Sequence, residues 1–248
     1  MARQSLMHLI KQTAKKLVNA VGFDLRRITP NSSPACQLLN GLERFGIDIV
    51  FDVGANTGQF AAELRTVGYS GSIVSFEPLS DAFEALSKHA QPDANWQVHP
   101  RCAIGDFDGE VEINISGNSV SSSVLPMTEA HSAAAEQSAY IGSERVPIFR
   151  LDSAAATYFS ESSRYLIKID TQGFEWQVLD GAGEMLQGAQ GVLCELSLVP
   201  LYEGQRLWQE IIQRLQNEGF TLWSIQNGFT DLRDGRTLQI DGIFFREG

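Results

Sequence analysis

Phe51-Asp52-Val53-Gly54-Ala55-Asn56-Thr57-Gly58 joins an apolar strand, Ile47 to Val53, to a helix over Gln59 to Val67 through a glycine turn that carries no basic residue. Glycine at 54 and 58 tolerates positive φ and lets a ligand lie against bare backbone. The helix that follows aims its first N–H groups at whatever occupies the turn. Strand, glycine turn and helix in this order open a doubly wound α/β sheet and mark a small-molecule site at its carboxyl edge.

The ligand follows by elimination. A dinucleotide fingerprint needs glycine at its first, third and sixth positions, which here hold Gly54, Asn56 and Gln59, so a pyrophosphate fits badly. A phosphate loop would follow its last glycine with Lys and Ser or Thr, whereas Gly58 is followed by Gln59-Phe60. What remains is an adenosine ligand without phosphates. The strand Ser72 to Phe76 ends in Glu77-Pro78, a carboxylate about 20 residues beyond the turn, where it can accept both ribose hydroxyls. S-adenosylmethionine has a ribose, no phosphate and a net positive charge, and an acid-rich pocket attracts it where it would repel ATP or NAD.

At these residues the chain resembles the FkbM-type S-adenosylmethionine-dependent methyltransferases. The matching stretches are the glycine turn, Ser75-Phe76-Glu77-Pro78, Arg101-Cys102-Ala103-Ile104-Gly105-Asp106, Leu166-Ile167-Lys168-Ile169-Asp170-Thr171-Gln172-Gly173-Phe174-Glu175 and Leu193-Cys194-Glu195. They stand in the family's order and cover roughly residues 46 to 248; the fourth is the most specific. The resemblance implies a Rossmann-like class I methyltransferase fold with a mostly parallel sheet and one antiparallel strand near the C-terminus. It implies O-methylation of a hydroxyl on a sugar, a glycan or lipid-linked precursor, or a glycosylated natural product. Asp52, Gly54, Ala55, Asn56, Gly58, Glu77, Pro78, Ala103, Ile104 and Asp170 are expected at the cofactor, with the adenine ring near Ala103 and Ile104. Gln172, Glu195 and Tyr202 are expected toward the acceptor, although Tyr202 could be plain packing at the start of the next helix.

Composition sets bounds. A chain of 248 residues suits one α/β domain with an appendage. No apolar run approaches the roughly 20 residues of a membrane span. Cys36, Cys102 and Cys194 are far apart and lack metal-ligand spacing, which reads as reduced core residues in a cytoplasmic protein and gives no metal site. The net charge of −11 argues against a nucleic-acid partner. Residues 1–27 carry six Lys and Arg against Asp24, a sum of +5, which leaves −16 for the remainder. Within them Leu6, Met7, Ile10, Ala14, Leu17, Val18 and Val21 recur at helical spacing. Such a basic amphipathic helix could lie on the inner membrane face, pack on the domain or contact a second copy in a homodimer.

The expected domains are 1–45, this helix with a linker and a short helix from Ala35 to Arg44, and 46–248, the methyltransferase domain. Strands are expected at 48–53, 72–77, 96–103, 165–170 and 191–197, and helices at 59–67, 80–89, 174–180 and 204–218. Phe220 to Ser224 and Leu238 to Arg246 read as a closing strand pair. An insertion over about 108–151 holds strands at Glu110 to Ile115 and Val146 to Leu151. Between them lie the small, polar stretch Ser116 to Ser123 and a segment, Pro126 to Glu144, that suits either a lid over an acceptor pocket or a passive connection.

Methyl transfer to a hydroxyl needs in-line alignment and a base for the proton. Asp170, at the carboxyl end of its strand, is the first candidate for that base, and the resemblance implies that it could grip the cofactor's amino group, take the acceptor's proton, or both; a helix cap is the plain alternative. Lys168 shares its face of the strand and could pair with a carboxylate there. Glu195 ends the next strand and could grip sugar hydroxyls or serve a structural hydrogen bond. His131, the histidine of the expected lid, is the further candidate base. Asp106-Phe107-Asp108-Gly109 reads as a turn rather than a cation site. Two other classes stay open at this level: a noncatalytic adenosine-ligand sensor on the same fold and an NAD-dependent oxidoreductase.

Overall fold

Apolar runs without polar alternation belong in the middle of a parallel sheet covered on both faces, and Ile49–Val53, Tyr165–Ile169 and Gly191–Ser197 take those places. A computed structural model describes residues 12–24 and 27–247. Leu6, Met7 and Ile10 of the expected amphipathic stripe lie outside the described residues.

After a helix over residues 12–20, the elements in chain order are α1 (Pro34–Arg44), β1 (Ile49–Val53), α2 (Gln59–Val67), β2 (Ser72–Phe76), α3 (Ser80–Ala90), β3 (Trp96–Val98), β4 (Ala103–Gly105) and β5 (Gly109–Ser116). There follow α4 (Glu129–Ala134), β6 (Tyr140–Arg150), α5 (Leu151–Ala154), β7 (Tyr165–Ile169), α6 (Glu175–Asp180), α7 (Gly183–Gly188), β8 (Gly191–Ser197), α8 (Trp208–Asn217), β9 (Thr221–Asn227) and β10 (Gln239–Phe245). The main sheet runs β3-β2-β1-β7-β8-β10-β9. Its pairs are parallel from β3 to β8, and β10 lies antiparallel between β8 and β9. This is the mostly parallel, doubly wound α/β sheet with one antiparallel strand that the sequence predicts.

Two apolar cores cover its faces. One gathers Phe51, Ile167, Val178, Leu186, Val192 and Phe244; the other gathers Leu38, Leu42, Leu64, Leu166 and Phe245. Leu38 and Leu42 are 2% and 1% exposed, so α1 is part of the second core although it precedes residue 46. Cys36, Cys102 and Cys194 are free thiols.

The segment expected as one strand over 96–103 is two. Pro100 cannot donate to a ladder, and after it the chain leaves the main sheet: β4 pairs with β6, which pairs with β5, in a separate three-stranded sheet. The turn at Asp106–Gly109 is closed by Arg150 N–H donating to Asp108 Oδ1 at 2.9 Å. Among the described residues no helix is long and apolar enough to cross a membrane.

Candidate functional site

A cleft of about 500 Å³ opens at the carboxyl edge of the main sheet, around the turn between β1 and α2. Gly54, Asn56 and Gly58 hold φ of 76°, 47° and 91°. A Cβ on Gly54 would stand 1.9 Å from the Asp170 carbonyl oxygen, and one on Gly58 would stand 2.8 Å from the Trp96 ring. The turn is thus pressed against its neighbours on one side and bare toward the cleft on the other. Gly54 and Ala55 N–H both donate to Phe76 O, at 3.1 and 3.0 Å, which locks the turn onto the end of β2.

Glu77 leaves β2 at that end. Its two carboxylate oxygens accept the N–H of Asn56 at 2.8 Å and of Leu79 at 2.9 Å, which fixes the group in orientation and leaves a lone pair on each oxygen. Burial pushes its pKa up to about 7, against the pull of those two N–H groups. Ala103, Ile104, Cys102 and Phe174 give the cleft an apolar wall beyond Glu77 and Pro78, and Ser119 to Val124 of the insertion reach its rim.

Beneath the turn, register pairs Asp52 of β1 with Lys168 of β7. Directly paired residues face the same side, and Lys168 Nζ lies 3.0 Å from Asp52 Oδ1, 3.6 Å from Asp170 Oδ2 and 2.9 Å from Gly54 O. Burial pulls the pKa of this lysine down; the charges of Asp52 and Asp170 outweigh that and hold the group above its ordinary pKa.

Asp170 continues β7 into the cleft. Its side chain is 37% exposed, and it caps no helix, since α6 starts at Glu175 without a side-chain cap. Gln172, held at φ 53°, donates its amide to Asp170 Oδ1 at 2.8 Å and to Glu195 at 3.1 and 3.0 Å. Gln239 of β10 also donates to Glu195, at 2.7 Å. Burial, with Asp170 and Glu175 nearby, raises the Glu195 pKa well above the carboxylate range. Glu195 is not among the residues lining the cleft; it stands behind Gln172 as that residue's anchor.

Two residues enter the site that the sequence reading did not nominate. Glu175 accepts Thr171 N–H at 2.9 Å and Gly173 N–H at 3.0 Å, and so folds the loop that presents Asp170 and Gln172. Asp241 lines the cleft and lies directly across the ladder from Glu195. Burial, with Asp170 close by, lifts its pKa to about 7. It is the lone charged residue of a strand that is apolar apart from it and Gln239, which is the signal that could have found it.

Other expectations are corrected. His131 is 2% exposed, packed edge-on against the Tyr202 ring and tilted against that of Phe229, and does not line the cleft. Its Nδ1 is buried without a hydrogen-bond partner, and burial drops its pKa to about 4. Tyr202 is fully buried: its hydroxyl donates to Gln172 Oε1 at 2.9 Å and lies 3.2 Å from Ser121 O. It props the loop that carries Gln172 and does not line the cleft. The part of the insertion over the cleft is Ser119 to Val124, not Pro126 to Glu144. Among the described residues no group of His, Cys, Asp and Glu is placed to hold a metal.

The donor set fits S-adenosylmethionine: a glycine turn packed so closely that no Cβ is tolerated, an oriented carboxylate about 20 residues beyond it, an apolar wall and an excess of acids. A family model described as the methyltransferase FkbM domain matches residues 52–222. A crystal structure of a candidate O-methyltransferase from Klebsiella pneumoniae superposes with a TM-score of 0.50 at 9% identity, over 96% of this chain and 89% of that one. A candidate tRNA methyltransferase from Streptococcus pneumoniae, solved in complex with S-adenosyl-L-methionine, gives a TM-score of 0.45 at 11% identity, over 84% and 72%. A candidate RNA methyltransferase from Pyrococcus horikoshii gives 0.45 at 12%, over 86% and 81%. No curated protein is a significant sequence match.

Proposed function

Given that the chain belongs to the methyltransferase FkbM domain family, whose methyl donor is S-adenosylmethionine, we propose that it methylates a hydroxyl oxygen of a sugar or of a carbohydrate-bearing lipid or natural product, with Asp170 as the base. The observation that carries this reading is the setting of Asp170: facing the cleft, next to the glycine turn, with one oxygen held by Gln172 and the other by Lys168.

When bound, the cofactor supplies an electrophilic methyl group whose leaving group becomes a neutral thioether. The chain has two tasks beside it. Gly54, Ala55, Asn56 and Glu77 hold the adenosine end, and the excess of cleft carboxylates favours a cation there. Asp170 takes the proton that the acceptor hydroxyl gives up as its oxygen bonds to carbon, a contribution of about 10²- to 10⁴-fold for a placed base. Gln172 keeps the carboxylate aimed, so that little reorganisation is needed at the moment of transfer. The acids and amides around the cleft suit an acceptor rich in hydroxyls, which is the support for a carbohydrate.

The test is calorimetric titration with S-adenosylmethionine and S-adenosylhomocysteine, then an acceptor screen over sugars and glycolipids. Wild type should bind both ligands and Glu77→Ala should bind them weakly. Asp170→Asn should lose turnover by a hundredfold or more, in keeping with the roughly 10²- to 10⁴-fold worth of a base, with a small change in cofactor affinity. Cofactor binding with full turnover in Asp170→Asn removes the base; binding without turnover on any acceptor points to a sensor.

A further inference from the structure

Residues 12–20 are helical, and backbone geometry fixes where that helix stops. Gly22 stands at φ 86° with its N–H on Asn19 O at 3.1 Å, while Phe23 N–H reaches back to Val18 O at 3.1 Å. This pair of bonds is a Schellman stop, and it folds Phe23 back toward the turn that carries Leu17 and Val18. With Ala14 and Val21 those two residues form one stripe at three- and four-residue spacing.

The domain does not cover the stripe. Leu17 is 67% exposed, Val21 71%, Phe23 70% and, just beyond, Ile28 74%. Cations flank it: Lys15, which also pairs with Asp24 at 3.7 Å, Lys16 and Arg27. The charge is split along the chain, +5 over residues 1–27 against −16 for the rest. An acidic domain is repelled by an anionic bilayer, so a basic apolar segment is the face by which such a protein would meet one.

The chain then runs from Ile28 to Pro34, six residues that span at most about 20 Å. Pro34 and Ala35 begin α1 and line one end of the cleft. A surface that holds the segment therefore holds that end of the cleft near its headgroups.

We propose that residues 12–24, with Arg27 and Ile28, dock this protein on an anionic lipid surface, with Leu17, Val21, Phe23 and Ile28 at the acyl boundary, the cations among the headgroups, and the Pro34 end of the cleft turned to the membrane. The docking does not depend on the reading of the reaction.

The experiment is co-sedimentation of the full chain with vesicles of phosphatidylcholine alone or mixed with phosphatidylglycerol, at low and high salt. The variants are Leu17→Glu/Phe23→Glu and Lys15→Glu/Lys16→Glu, whose side chains lie outside the cleft; unchanged titration with S-adenosylmethionine confirms that each is folded. Binding should need the anionic lipid, weaken with salt, and fall about tenfold or more in either variant. Wild type left in the supernatant with anionic vesicles, or variants that bind as wild type does, overturns the proposal. So does a dimer in sedimentation equilibrium that Leu17→Glu/Phe23→Glu dissolves while no form binds vesicles, since the stripe is then a contact between copies.

Discussion

Lys168 Nζ sits 3.0 Å from Asp52 Oδ1, an ion pair in which the lysine side chain is 6% exposed and the aspartate not at all. Two charges so placed cost much to desolvate, and removing either leaves the other stranded. Lys168 also donates to Gly54 O at 2.9 Å, so the pair is the floor of the glycine turn. Lys168→Met is expected to lose about 3–5 kcal/mol in urea unfolding, with cofactor binding lost alongside; a loss below 1 kcal/mol would show that the pair is not a support.

The turn can be probed from above as well. Gly54→Ala places a Cβ at 1.9 Å from the Asp170 carbonyl in a backbone at φ 76°. Alanine there has both strain and a backbone clash to relieve, and the relief must move Asp170. Affinity for S-adenosylhomocysteine, measured by titration, should fall more than about tenfold, the equivalent of 1.4 kcal/mol. An unchanged affinity would mean that the turn does not touch the ligand.

Glu77 supplies a pH dependence with a definite sign. An ordinary glutamate releases its proton near 4.5, whereas burial keeps this one protonated to about 7. Between those values the folded chain holds a proton that the unfolded chain has lost, so stability falls as pH rises from 4.5 to 7, by up to about 3 kcal/mol from this group. Asp241, also lifted to about 7, adds in the same direction. Urea midpoints of Glu77→Gln across pH 5 to 8 should be flatter than those of wild type. Cofactor affinity should rise through pH 7, where the charged carboxylate becomes available to the ribose, and Glu77→Gln should abolish that rise.

His131 acts in the opposite sense. Its folded pKa near 4 lies below the ordinary 6.5, so stability is lost as pH falls from 6.5 toward 4, by up to about 3 kcal/mol. His131→Phe, between Tyr202 and Phe229, removes the titration and the unpaired Nδ1. The variant should resist acid better than wild type and keep its turnover within about twofold, since it lies far in role from the roughly 10²- to 10⁴-fold of a base. A large loss of turnover with intact folding would restore the histidine to the chemistry.

Gln172 offers a test of aim. Gln172→Leu frees Asp170 Oδ1 and leaves Glu195 with Gln239 alone. The expected result is a kcat lower by about tenfold or more with the cofactor dissociation constant nearly unchanged, as for a group that positions another. Equal loss in both quantities would make Gln172 a binding residue.

What the sequence reveals and what it hides divide by distance along the chain. The glycine turn, α2 at Gln59–Val67 and β8 at Gly191–Ser197 follow from local pattern, and the structure holds them at the expected residues. Glu77 and Asp170 sit at strand ends, where topology alone brings them to one cleft. The burial of His131 and Tyr202 is not legible in the sequence because their surroundings are non-local: Thr128 N–H donates to Leu201 O at 2.9 Å, which draws the segment before α4 onto the loop after β8 and buries both rings. Asp241 was missed because its strand reads as core, and only the antiparallel register beside Glu195 shows which edge it reaches.

That register has a consequence for how the chain acquires its shape. β10 enters the sheet between β8 and β9, though both precede it in the chain. Until it arrives, β8, apolar along most of its length, presents an open ladder edge of the kind on which other chains can zip. The slow, vulnerable moment of folding is therefore expected to be the wait of β8 for a partner made later. Synthesis that pauses between residues 227 and 239 would prolong the wait, and chaperones that shield strand edges would matter most for that interval.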